Sequence, residues 1–151
     1  MKTISVKKTF WILFILFFIA LAVLSIMIFN VIDVSEDITQ VVVNYDFYDT
    51  LLTSLTPIFF LILLVLSNVA FMKDDISYYF WMTLFLYVVF TLVNYVYISG
   101  VYFHYKKICG VSTGEISIEG IRGLILCMIA IFICVINYFT LVIMKKKRSM
   151  K

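Results

Sequence analysis

The chain has 151 residues, of which 64% are hydrophobic, 18% aromatic and 14% charged; soluble domains are about half apolar and a quarter charged. That excess excludes an ordinary water-soluble globule. Twelve Lys and Arg against nine Asp and Glu leave a formal net charge of +3, and no direct nucleic-acid binding is expected.

Four apolar runs, at about 10–32, 51–72, 78–103 and 121–144, contain no Asp, Glu, Lys or His, and Arg122 at one edge is their only Arg. Each reaches the roughly 20 residues needed to cross about 30 Å of hydrocarbon as a helix that satisfies its own backbone hydrogen bonds. The expected fold is an all-α integral membrane protein, a four-transmembrane-helix bundle forming a single membrane domain over residues 1–151.

The first run follows Lys2, Lys7 and Lys8, as a secretory signal would. It is longer than a typical signal core and no small-x-small cleavage site follows before Asn30, so it is expected to be an uncleaved span. That helix should begin near Thr9, with Trp11 in the interfacial aromatic belt. The loop after it holds Asp33, Glu36, Asp37, Asp46 and Asp49 and no basic residue. With Lys2, Lys7 and Lys8 at one end of the chain and Lys145, Lys146, Lys147, Arg148 and Lys151 at the other, the excess of Lys and Arg puts both termini in the cytoplasm. An even span count requires the same. Lys106 and Lys107 then lie outside, against the usual bias.

The second run opens with Thr50, Thr53, Ser54 and Thr56 ahead of the sole proline, Pro57. Proline frees the Thr53 carbonyl and predicts a bent helix entrance or a hinge. Asp74 and Asp75 precede helix three, where carboxylates cap exposed amides. So short a connection makes helices two and three antiparallel neighbours.

Helix three carries Thr83, Tyr87, Thr91 and Asn94 at spacings of four, four and three. This polar stripe either bonds to other helices within one subunit or lines a wetted path in an oligomer. Tyr95, Tyr97, Tyr102 and Tyr105 with Phe103 cluster toward the outer interface as belt residues. Among them His104, the only histidine, gives a metal site too few ligands of its own kind, and no cofactor is expected. In the loop that follows, Ser112 and Glu115 are spaced like a capping box, while Ile116 and Ile118 alternate with Ser117 and Glu119 as a short extended segment would.

Helix four has the most ordered pattern. Gly123, Cys127, Ala130, Cys134 and Asn137 follow at spacings of four, three, four and three, a small-residue seam that lets membrane helices approach closely. It predicts a packing interface inside the subunit or in a homo-oligomer. Counted from span midpoints, Asn68 and Asn137 fall at a common depth, roughly 7 to 9 Å toward the cytoplasmic side, so they are able to pair, whereas Asn94 and the more distant Asn30 lie on the outer side. Lys145, Lys146, Lys147 and Arg148 serve as a topology anchor, an anionic-lipid contact or a partner contact. Cys109, Cys127 and Cys134 are odd in number, which argues against a disulfide framework. Cys109 alone should reach an oxidising compartment, as a free thiol or an intermolecular bridge.

Signatures of hydrolases, phosphate-binding loops and paired CxxC thiols are absent, and intramembrane charges that proton relays and voltage sensors rely on are missing. The expectation is a non-enzymatic oligomeric scaffold or sensor in a bacterial cytoplasmic membrane that acts with a soluble cytoplasmic partner. A pore-forming protein, or an immunity protein against a membrane-active toxin, are the alternatives. In size and layout, with lysines at 2, 7 and 8 and a basic cluster at 145–148 setting both ends inside, the chain resembles the membrane subunit of the bacterial Kiwa anti-phage defence system. That resemblance implies an oligomeric envelope sensor that recruits a cytoplasmic nucleic-acid-binding partner.

Overall fold

The computed structural model describes residues 5–32, 37–110 and 118–149, apart from the side chains at 119, 148 and 149. Among these residues there are helices and turns and no strand. Helix α1 is Val6–Val31, α2 Ile38–Asp74 and α3 Tyr78–Leu92; a π-helical segment, Val93–Ile98, joins α3 to α4 at Ser99–Ile108, and α5 is Glu119–Ser149. Because α3, the π segment and α4 run on as one rod, there are four helical rods, each long and apolar enough to cross a membrane. The proposed capping box at Ser112 and Glu115 lies outside the described residues.

Helix α1 buries Phe10, Phe14, Phe17, Leu21, Ser25 and Ile28, one stripe at helical spacing. Its other faces stay apolar and exposed, with Ile12, Ile15, Leu16, Ile19 and Val23 among them. In water such a surface would drive aggregation; in hydrocarbon it is the ordinary covering of a span.

Helix α2 corrects the expected boundaries. It has 37 residues, about 55 Å at 1.5 Å per residue, and starts thirteen residues before Leu51. The stretch with Asp46 and Asp49 is therefore helix and not loop. The Asp37 carboxylate caps it by accepting from the Thr39 N–H at 3.1 Å. Val41, Tyr45 and Leu52 are buried while Asp46 and Thr50 face outward, so this segment is amphipathic, and its polar side hides it from a hydropathy window. The Tyr45 ring stacks on Tyr102 of α4, with centroids 3.5 Å apart and planes 8° from parallel. Tyr102 and Tyr105, expected in the aromatic belt, are instead buried core of this extension; Tyr97 is exposed.

The α2–α3 turn holds the second correction. Asp74 is the last residue of α2, and Asp75 adopts the left-handed conformation (φ 59°) as its C-cap, donating its N–H to the Phe71 carbonyl at 3.1 Å. Ser77 precedes α3 without a side-chain cap. The Asp75 carboxylate forms an ion pair with Lys145 near the end of α5.

Phe10 stacks on Tyr79 at 4.0 Å, so the starts of α1 and α3 lie together, and the Lys145–Asp75 pair brings the end of α5 to the same side. Helices α2 and α3 form the centre. Helices α1 and α5 flank them and make no contact with each other. Two apolar clusters result: Phe10, Phe14, Phe17 and Leu21 of α1 pack with Leu52, Leu63, Tyr79 and Leu86 of the central pair, while Phe60, Leu64, Phe71, Phe80 and Tyr87 of that pair pack with Ala130, Cys134 and Leu141 of α5. The four-helix arrangement is thus open.

Candidate functional site

The residues of the helix-three stripe are all buried, Thr83 at 0% and Asn94 at 3% exposure, and they face the subunit's own helices. The Thr83 and Ser67 hydroxyls share a hydrogen bond of 3.2 Å between α3 and α2, while the Ser67 hydroxyl also approaches the Leu63 carbonyl at 2.8 Å. The seam on α5 is likewise occupied. Cys127, Ala130 and Cys134 are 6%, 3% and 3% exposed. Gly123 is needed for contact with the π segment, since a Cβ there would stand 2.4 Å from the Tyr95 Cβ. At the other end of the seam, the Asn137 side-chain amide donates to the Asn68 carbonyl oxygen at 2.6 Å and receives a bond from Asn68 at 3.3 Å.

Where α2, the π segment and the start of α5 converge there is a cavity of ≈ 210 Å³. Thr53, Thr56 and Pro57 line it from α2; Tyr87, Phe90, Thr91, Asn94 and Tyr95 from the third rod; Arg122 and Leu126 from α5. Two local departures from regular helix border it, and one close approach closes it. Pro57, inside α2, offers no N–H to the Thr53 carbonyl. The π segment widens the third rod by carrying its hydrogen bonds to the fifth residue, as from the Ser99 N–H to the Asn94 carbonyl. Gly123 then allows α5 to close the far wall.

The lining is polar in a specific sense. The Thr53 hydroxyl donates to the Asp49 carbonyl at 2.8 Å and the Thr56 hydroxyl to the Leu52 carbonyl at 2.7 Å, so both retain accepting lone pairs with their protons engaged. The Asn94 Oδ1 is buried with no hydrogen-bond partner. Such an orphan costs about 1–3 kcal/mol relative to a bonded one, and occurs rarely enough to call for an explanation. Arg122 and Pro57 are exposed at the rim.

Arg122 and Thr53 join the stripe at this cavity, a grouping that spacing along the third rod does not reveal. The available signal was that Arg122 is the sole charge in any of the four runs. At the opposite end, Lys145 is half-buried against Asp75 and lies 5.4 Å from the Phe71 ring centroid, whereas Lys146 and Lys147 are exposed. His104 is exposed, and no group of three or more His, Cys, Asp or Glu among the described residues is placed to hold a metal. No disulfide joins the three cysteines to one another; Cys109 is half-buried and the other two are buried.

Four helices long and apolar enough to cross a membrane, with mostly apolar exposed faces, have the form of an integral membrane protein. No family model matches this chain, and neither curated proteins nor solved structures provide a match.

Proposed function

We propose that this chain is a non-enzymatic scaffold or sensor of a bacterial cytoplasmic membrane, with both termini in the cytoplasm, that oligomerises and acts through a soluble cytoplasmic partner. The observation that carries this reading is where the polar groups go. The stripe and the seam are buried within one subunit, and with both termini in the cytoplasm the lysine-bearing end, with Lys7, Lys8, Lys73, Lys146 and Lys147 exposed, is the surface open to a soluble cytoplasmic protein. A partner with an acidic face suits that end, where the Lys145–Asp75 pair joins the end of α5 to the α2–α3 turn.

The open packing supports oligomerisation. Since α1 and α5 flank the centre without touching, their exposed apolar faces are available to other copies as well as to lipid. The resemblance to the Kiwa membrane subunit adds a setting, anti-phage defence, in which an envelope event would be relayed to a cytoplasmic effector.

Purification in mild detergent from cells expressing the neighbouring genes tests the reading. A stoichiometric soluble companion, lost when Lys146 and Lys147 are both replaced by Glu, is the expected result. A clean homomer contradicts it, and conductance of the purified protein in planar bilayers, abolished by Thr91→Leu, would favour a pore.

A further inference from the structure

We propose that the cavity between α2, the π segment and α5 is a binding site for a phospholipid whose headgroup carries N–H or O–H donors beyond its phosphate, such as an ethanolamine or glycerol headgroup. Its interior and its rim ask for different chemistry. Inside, Asn94 is 3% exposed and its Oδ1 has no partner. The Thr53 and Thr56 hydroxyls have their protons on helix carbonyls and offer lone pairs. This interior is therefore short of donors, and a ligand that supplies N–H or O–H groups completes it. At the rim stands the Arg122 guanidinium; it already interacts within the protein, and its planar fork of five donors has capacity for a phosphate besides.

Position selects a lipid as the source. Arg122 lies at the start of the apolar run of α5, and Thr53 near the start of that of α2, both one turn or less inside the expected hydrocarbon boundary, from which a long Arg side chain reaches out to the phosphate layer. The exposed Pro57 and Arg122 mark an opening on the side of the molecule. Over their whole length α2 and α5 touch each other less than either touches α3, which suits lateral entry of a headgroup whose acyl chains remain beside the exposed Leu61 and Ile125. The volume of ≈ 210 Å³ equals roughly seven waters at about 30 Å³ each, enough for the polar part of a headgroup. A choline headgroup fills similar space but brings no N–H donor to Asn94. This inference requires membrane insertion and is independent of the proposed cytoplasmic partner.

Native mass spectrometry of the protein exchanged into equal mixtures of phosphatidylcholine, phosphatidylethanolamine and phosphatidylglycerol tests it. The expected result is retention of an ethanolamine or glycerol phospholipid over choline phospholipid by about tenfold, the worth of one hydrogen bond to an otherwise unpaired buried group. Asn94→Leu should abolish the preference without lowering thermal stability in phosphatidylcholine nanodiscs, because it also removes the orphaned oxygen. Arg122→Gln should weaken retention of all three lipids. Free phosphoethanolamine or glycerol phosphate, supplied to detergent-solubilised protein, separates a soluble ligand from a lipid: displacement of the lipid at micromolar concentration would assign the site to the soluble compound. Equal retention of all three lipids by the unsubstituted protein would overturn the proposal and leave the cavity to water.

Discussion

Gly123 sets how closely α5 approaches the π segment, and replacing it with Ala tests that contact. The added Cβ would lie 2.4 Å from the Tyr95 Cβ and 3.1 Å from its Cγ, against about 3.5–4.0 Å for an ordinary carbon–carbon contact. The helices must therefore part by roughly 1.1–1.6 Å. Rotation of the Tyr95 side chain cannot relieve this, because its Cβ is fixed to the backbone. Overpacking of this kind costs about 1–3 kcal/mol, and the better helix propensity of Ala returns up to about 1 kcal/mol. The expected net loss is about 0–2 kcal/mol. Gly120→Ala is the internal control, since a Cβ there meets only the Tyr95 carbonyl oxygen, at an ordinary 4.0 Å. Unfolding by SDS titration in mixed micelles should place Gly123→Ala about 1–3 kcal/mol below Gly120→Ala. Equal stability of the two variants would refute the close approach, and with it the construction of the cavity wall.

Other expectations follow from single contacts. A double-mutant cycle of Asn68→Leu and Asn137→Leu should give a coupling of about 0.6–2 kcal/mol; additive losses would mean the paired amides do not bond. Asp75 in its left-handed conformation predicts that Asp75→Val costs about 1–2 kcal/mol. Asp75→Gly should stay near neutral, because relief of that conformation offsets an exposed ion pair worth about 0–1 kcal/mol; thermal melts in detergent would show the order. Amide hydrogen exchange should find residues 41–50 protected as helix, with protection falling on Tyr45→Ala; exchange at unstructured-chain rates in the unsubstituted protein would return this stretch to a loop.

The four spans were legible because continuous apolar runs leave a membrane helix as the one way to satisfy the backbone. The depth of Asn68 and Asn137 could be counted from the same runs, and hydrogen bonds join the two side chains. The ends of the spans were less legible. Asp46 and Thr50 lower the local hydropathy, yet they occupy the outward face of a helix whose other face buries Val41, Tyr45 and Leu52; the helical spacing of those three was the signal to follow. Asp74 and Asp75 misled because a carboxylate before a helix usually caps it, and here Lys145, seventy residues away, competes for one of them. The π segment left no mark in the sequence, since it is a change of hydrogen-bond partner along a continuous apolar run. The cavity depends on that segment, on Pro57 and on Gly123 together, so no single stretch announces it.

The central claim is that the polar stripe of the third rod is packed inside one subunit, leaving the lysine-bearing end as the surface for a partner. Disulfide trapping tests it directly. Ser67→Cys and Thr83→Cys would be combined in a background with Cys109, Cys127 and Cys134 replaced by Ser, then oxidised in native membranes. The hydroxyl oxygens of Ser67 and Thr83 lie 3.2 Å apart, so the account predicts rapid cross-linking within a band of monomer mass. A cross-linked dimer as the main product would place the stripe against another subunit and contradict it.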